Sequence, residues 1–263
     1  MREIKLAANA KLNLTLDIVG AREDGYHLLK MVNRCVNLSD EVILRRTQKS
    51  GIKITSNARF LPRFEKNLAY KAAARLYEKI GAPLPDMEID ITKRIPTQAG
   101  LGGGSADAAA TLVGLNRLFS LGLSEHELCS VAKTVGADVP YCVAGIPALV
   151  TGIGEIIEPI EDNTDFCVVI LMPREGRSTK EAFALFDSGR AFKRPDTDGM
   201  LDALKRGDNS GAAALLCNAF QTIESNETTE RLVSILLSEG ALGASLTGSG
   251  AAVFGIFPDM LAA

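Results

Sequence analysis

Residues 100–104 carry four glycines in five positions, Gly100, Gly102, Gly103 and Gly104 around Leu101. Glycine has no side chain to bury and loses the most backbone entropy on ordering, so such a cluster builds a loop and not a packed element. From Ser105 to Phe119 the chain changes to an alanine-rich run with Ala109, Leu112, Val113 and Asn116 at helical spacing. A glycine loop feeding a helix start exposes backbone N–H groups at the positive end of the helix dipole, which together form an anion site. Phosphate is the natural guest. The competing reading is a flexible turn before a helix that Ser105 caps.

Two familiar phosphate loops are excluded. A Walker A loop needs Gly-Lys-Ser/Thr, and here Ser105 follows Gly104 directly. The dinucleotide fingerprint needs a third glycine where Gly100 and Gly102 place Ser105, and a strand running straight into the loop. Met87 to Ile91 alternates like a strand, but Lys93, Arg94 and Pro96 intervene.

Bulk properties narrow the class. A net charge of −3 with 23% charged residues offers no basic face for nucleic acid. Arg45, Arg46, Arg59 and Arg63 read as solvated surface. The five cysteines are scattered without a Cys-x-x-Cys pair and there are two histidines, which fits free thiols in a reducing cytosol and no metal cluster. Arg2, Glu3 and Lys5 open no signal peptide, and the uncharged run from Val139 to Gly154 is broken by Pro140 and Pro147. A soluble, cytoplasmic protein with no membrane partner is expected.

Along the chain, residues 2–19 and 36–44 read as strands, and Asn67 caps a helix that Gly81 and Pro83 stop. Ser124 with Glu127 forms a capping box for the next helix. Gly136 to Pro140 reads as a turn, with strands at 141–144 and 147–151. Pro159, Asp162 and Asn163 suggest a linker, placing domains at 1–158 and 159–263. Beyond it come a strand at 167–172, helices near 179–187, 199–204, 210–220 and 227–239, and a final hairpin-like pair. Strands and helices mix without strict alternation, which argues for an α+β class.

A carboxylate beside a phosphate loop suits phosphoryl transfer, where a base takes the acceptor's proton and an ammonium stabilises the resulting oxygen. Asp138 and Lys11 are candidates for those roles, although most single Asp and Lys residues only solvate a surface.

Three segments, Ala10-Lys11-Leu12-Asn13, Ile95 to Ser105, and Leu246-Thr247-Gly248-Ser249-Gly250, resemble the three motifs of the GHMP kinases (galactokinase, homoserine, mevalonate and phosphomevalonate kinases). Asp24-Gly25-Tyr26-His27-Leu28 and Gly136-Ala137-Asp138-Val139-Pro140-Tyr141 are similar to members that act on a cytidyl-linked methylerythritol. The resemblance covers residues 6–256. It implies a two-domain GHMP kinase fold with a ribosomal-S5-domain-2-like N-terminal domain and a ferredoxin-like C-terminal domain. It also implies ATP-dependent phosphorylation, with Mg²⁺, of that small molecule's 2-hydroxyl in the non-mevalonate isoprenoid pathway, by a monomer or homodimer. Lys11 and Asp138 would be the reacting pair. Pro96, Thr97, Gln98, Ala99, Gly100, Leu101, Gly102, Gly103, Gly104, Ser105 and Ala106 would wrap the ATP phosphates, with Asn67 and Lys93 near the nucleotide. Asn13, Tyr26, His27 and Phe183 would hold the acceptor, the Tyr26 ring stacking on its cytosine, the His27 imidazole hydrogen-bonding the base edge and Phe183 stacking on the other face. A relative with another acceptor would have no use for Tyr26 and His27, and a non-catalytic nucleotide binder none for Asp138. The chain departs from the family pattern at Asn9, Thr97, Gln98 and Ala106.

Overall fold

The computed structural model describes residues 1–58, 62, 66–174, 178–224 and 226–263. Arg59 and Arg63 lie outside the described residues. The chain divides into two compact units, each discontinuous: Met1–Lys11, Val36–Pro96 and Gly102–Gly145 form the first, and Leu12–Cys35, Thr97–Leu101 and Ile146–Ala263 the second. Interleaving arises because two long strands, β1 (Glu3–Ala21) and β2 (His27–Arg46), contribute residues to both.

In the first unit β2 pairs antiparallel with β4 (Met87–Thr92), and β4 pairs in parallel with β3 (Ile52–Ser56). Met87, Ile89 and Ile91 of β4 are buried while their neighbours are half-buried, the period of two that a sheet with one covered face demands. Its cover is α1 (Leu68–Ile80), α2 (Gly103–Leu118) and α3 (Glu125–Val135), whose Ala69, Leu76, Leu112 and Val131 join Val42, Leu44 and Ile89 in one core. Both ends of α1 follow the expectation: the Asn67 side chain accepts from Ala69 N, and Gly81 closes the helix at φ 68°. Ser124 and Glu127 form the capping box of α3. Midway along α2, a Cβ on Gly114 would stand 2.6 Å from Leu44 Cδ1, so the bare glycine is what lets the helix lie against the sheet.

In the second unit β5 (Ala148–Gly152) pairs antiparallel with β2, β6 (Ile156–Pro159) with β5, and β8 (Cys217–Asn218) runs parallel to β1. A separate sheet has the order β7 (Cys167–Leu171), β10 (Val253–Phe257), β9 (Gly243–Leu246).

Three local expectations change. Residues 139–144 form a short helix, α4 (Val139–Ala144), where a turn and a strand were expected. Asp138 stands at its N-cap and Pro140 lies in its first turn, where proline's fixed φ suits a helix and its missing N–H costs nothing. The helix expected over 210–220 is two, α7 (Asn209–Ala214) and α8 (Ala219–Ile223), separated by β8. Asn218 makes the break: its Oδ1 accepts from Phe220 N while its Nδ2 donates to the carbonyls of Leu246 and Gly248. Finally, α2 starts at Gly103, with Gly102 and not Ser105 as its N-cap.

Candidate active site

Lys11 lies on the polar phase of β1, which the alternation assigns to solvent. Its side chain is only 4% exposed, and Asn13, Thr15 and Asp17 on the same phase are also buried. The opposite phase, Leu12, Leu14, Leu16 and Ile18, is buried as well, so this stretch is covered on both faces. A row of buried polar groups must be satisfied by specific partners or by ligands.

Within the first unit, Lys11 Nζ stands 3.8 Å from Asp138 Oδ2, and the Asp138 side chain is 37% exposed. Although Asp138 occupies an N-cap position, its carboxylate makes no capping hydrogen bond. The carboxylate is thus partly in solvent and is not spent on capping the helix. The glycine loop passes against the same lysine: a Cβ on Gly102 (φ +70°) would come within 2.9 Å of Lys11 Cγ. Here the left-handed backbone and the close approach both require glycine. No side chain caps α2. Its first intrahelical bond runs from Ala106 N to Gly102 O at 2.9 Å, so the N–H groups of Gly103, Gly104 and Ser105 precede the helical ladder. These are the donors a phosphate takes up at a helix start. Ala106 itself is buried in the core.

Beneath this loop lies a second cluster. Lys93 Nζ donates to Asp40 Oδ2 and, at 2.7 Å, to Asp107 Oδ2. All three side chains are buried. Asp40 Oδ1 accepts from the backbone N–H groups of Arg94 (2.5 Å) and Ile95 (2.8 Å), which lead into the loop. Asp107 has no such help, and its Oδ1 is buried without a partner. Burial pushes its carboxyl up to about 7, against the pull of Lys93 and with the added repulsion of Asp40. A Cβ on Gly103 would stand 3.4 Å from Lys93 Nζ, which places the cluster directly under the helix start. Asn67 caps α1 and donates to Pro62 O, while its neighbour Leu68 touches Gly104.

In the second unit, Asn13 is tied to the C-terminal motif. Its backbone N–H donates to Thr247 Oγ1 (3.2 Å), its Oδ1 accepts from Gly248 N (2.8 Å) and its Nδ2 donates to Asn33 Oδ1 (2.7 Å). Gly100 packs on the same motif so closely that a Cβ would fall 2.1 Å from Thr247 O. Ala99 O accepts from Ala252 N, and Gln98 holds a left-handed φ of 56°. Elsewhere in this unit the His27 ring stacks on Phe183 with centroids 4.4 Å apart and planes at 15°. Phe186 meets the imidazole edge-on, and His27 Nε2 lies 2.6 Å from Asp187 Oδ1 at the end of α5 (Thr179–Asp187). Tyr26 is exposed beside them.

The structure thus gathers Lys11, Asp138, Gly102 to Ser105 and Lys93 in the first unit. Asn13 sits with Thr97 to Leu101 in the second, and His27 with Phe183 in that unit. Lys93 is not a surface cation but the centre of a buried cluster. Sequence reasoning passed over Asp40, Asp107, Asn33 and Asp187. Of these Asp107 had a readable signal, a lone charge inside the alanine run of α2.

An uncapped helix start beside a lysine–aspartate pair, on an α+β frame, is the arrangement that phosphoryl transfer calls for, and the chain's relatives place it among the GHMP kinases. Residues 67–146 match the GHMP kinases N terminal domain and residues 200–263 the GHMP kinases C terminal. A curated relative from Alkaliphilus oremlandii, named 4-diphosphocytidyl-2-C-methyl-D-erythritol kinase, is 39% identical over 98% of this chain and 89% of its own length. One of the same name from Caldicellulosiruptor saccharolyticus is 40% identical over 97% and 88%. A crystal structure of 4-(cytidine 5'-diphospho)-2C-methyl-D-erythritol kinase superposes with a TM-score of 0.82 at 29% identity, covering 99% of this chain and 92% of that one. Homoserine kinase from Cytophaga hutchinsonii shares the fold, with a TM-score of 0.75 at 22% identity over 100% of this chain and 87% of that one. The chain belongs to the 4-diphosphocytidyl-2-C-methyl-D-erythritol kinase family of GHMP kinases, and has their two-domain α+β fold.

Proposed function

We propose that the protein transfers the γ-phosphoryl group of ATP to the 2-hydroxyl of 4-diphosphocytidyl-2-C-methyl-D-erythritol, a step of the non-mevalonate isoprenoid pathway. The observation that carries the reading is the Lys11–Asp138 pair at 3.8 Å beside Gly102. Asp138, with its carboxylate unused by the helix it heads, takes the hydroxyl proton. The freed oxygen bonds to the γ-phosphorus as the bond to the β-phosphate oxygen breaks, releasing ADP. Lys11 offsets the charge on the attacking oxygen, and the N–H groups at the start of α2 hold the phosphates.

The loop from Pro96 to Ala106 shapes the phosphate site, and Lys93 and Asn67 support it from below and beside it. Asn13 serves the acceptor by fixing Thr247 and Gly248. His27 and Phe183 stack on each other, and the cytosine would extend that stack at an outer face, beside the exposed Tyr26. Residues 1–158 carry ATP and the reacting groups in this reading, and residues 159–263 contribute Phe183 to the acceptor. A Mg²⁺ ion bound with the triphosphate at the start of α2 would supply charge neutralisation at the phosphates. The enzyme works in the cytoplasm as a monomer or homodimer on a small molecule, without nucleic acid. Among the described residues no helix is long and apolar enough to cross a membrane.

A coupled assay of ADP release tests the substrate. Turnover is expected with the cytidyl-linked acceptor and little with methylerythritol phosphate lacking the cytidyl group. Equal rates with both would overturn the assignment.

A further inference from the structure

Asp40, Lys93 and Asp107 hold the phosphate loop from both of its ends. Asp40 grips the backbone of Arg94 and Ile95 before the loop, and Asp107 belongs to the first turns of α2 after it. One ammonium joins the two carboxylates. Their partnering among the described residues is unequal: Asp40 accepts three donors, whereas Asp107 accepts from Lys93 on Oδ2 and its Oδ1 is buried without a hydrogen-bond partner.

We propose that Asp107 is a positioning residue whose carboxyl takes up a proton when the ATP phosphates settle on the start of α2, coupling nucleotide binding to pH. The inference rests on the reading of that loop as the ATP site. Its physical basis is the charge count under the loop. With both carboxylates ionised the cluster carries one net negative charge, close to where Gly103 would receive a phosphate. Incoming phosphate makes that charge less favourable still, and a proton on Asp107 removes it while leaving the Lys93–Asp40 pair intact. A carboxyl that burial already holds near neutrality is suited to this exchange.

Among the described residues, the charged groups that face Asp107 are Lys93, following β4, and Asp40, on β2. Lys11 and Asp138 lie beside the same loop, at Gly102. The faces that α1 and α3 bury are apolar: Ala69, Ala72 and Leu76 on one, Leu128, Val131 and Val135 on the other.

Calorimetry of ATP binding to the full chain, without acceptor, tests the coupling. At pH 8 the terminal phosphate has already lost its last proton, which leaves at about pH 6. Titrations in buffers of differing ionisation enthalpy then count protons taken from solution by the protein. Wild type is expected to take up a fraction of one proton, and its affinity to fall by about six-fold from pH 6.5 to 8.5, the size that roughly one unit of carboxyl shift gives over that range. Asp107→Asn, neutral at every pH, is expected to take up none and to bind ATP with nearly constant affinity over that range. A purely structural role would leave the proton count of the variant equal to that of wild type. Should the variant not fold, the wild-type count decides alone: binding without proton uptake overturns the inference and leaves the kinase reading standing. No ATP binding at all would overturn both.

Discussion

Two lysines of the first unit each face aspartate, and they do so in opposite ways. Lys93 is clasped by two buried carboxylates, one of which also holds two backbone N–H groups. Lys11 stands 3.8 Å from the carboxylate of Asp138, which is over a third exposed and does not cap the helix it heads. The first arrangement satisfies most of its lone pairs within the protein and fixes a loop. The second leaves an acceptor open beside an ammonium, which is what proton abstraction from an incoming hydroxyl requires. Residue type does not separate structure from chemistry here; the completeness of the partnering does.

The sharpest way to break the contrast is Asp138→Asn. It removes the proposed base and its charge beside Lys11 without costing α4 a side-chain cap, so turnover in the ADP-release assay is expected to fall by about 10²–10⁴-fold, with ATP binding nearly unchanged and the thermal midpoint much less affected than turnover. Lys93→Met should do the reverse. It strands two buried carboxylates, and urea unfolding is expected to show a loss of about 3–5 kcal/mol, with activity per folded molecule less affected than in the Asp138 variant.

A smaller effect follows from Asp107. Its carboxyl is raised in the folded state, so between its ordinary value near 4 and about 7 the folded protein binds more protons than the unfolded one. The stabilisation is full below that window and is lost as pH rises through it, at most about 1.4 kcal/mol per pH unit. Comparing urea unfolding of wild type and Asp107→Asn from pH 4 to 7 isolates this slope, because every other group is common to both. The smallest effect is expected from Gly102→Ala, which forces a left-handed residue onto the Lys11 stem. About 1–2 kcal/mol of stability should go, with a modest rise in the KM for ATP.

Much of this frame is readable in the sequence, for local reasons. Asn67 and Gly81 bound α1, Ser124 with Glu127 starts α3, and the alternation of Met87 to Ile91 makes β4, because caps and periodicity act over a few residues. Where reading by pattern fails, a distant partner decides. Tyr141 to Ala144 is apolar enough for a strand, and only its place after Asp138 and Pro140 makes it helix. Asn218 interrupts a helical run in order to hold the carbonyls of Leu246 and Gly248. The polar phase of β1 reads as solvent-facing because nothing local reveals what covers it. At the site, the glycine loop, Lys11 and Asp138 stand out as motifs. The cluster below does not, since Asp40 lies 53 residues from Lys93 in the chain.

The closeness of Gly100 to Thr247 has a consequence for synthesis. The carbonyl of Gly100 lies within reach of a hydroxyl that is 147 residues later in the chain. A growing polypeptide folds from its N-terminal side first, so α1 to α4 can assemble while this support has yet to be translated. The forward half of the loop then has no surface to rest on, and a truncated product stopping before Thr247 is expected to hydrolyse or transfer no phosphate. On this account the loop gains its full support only once the last strands are made.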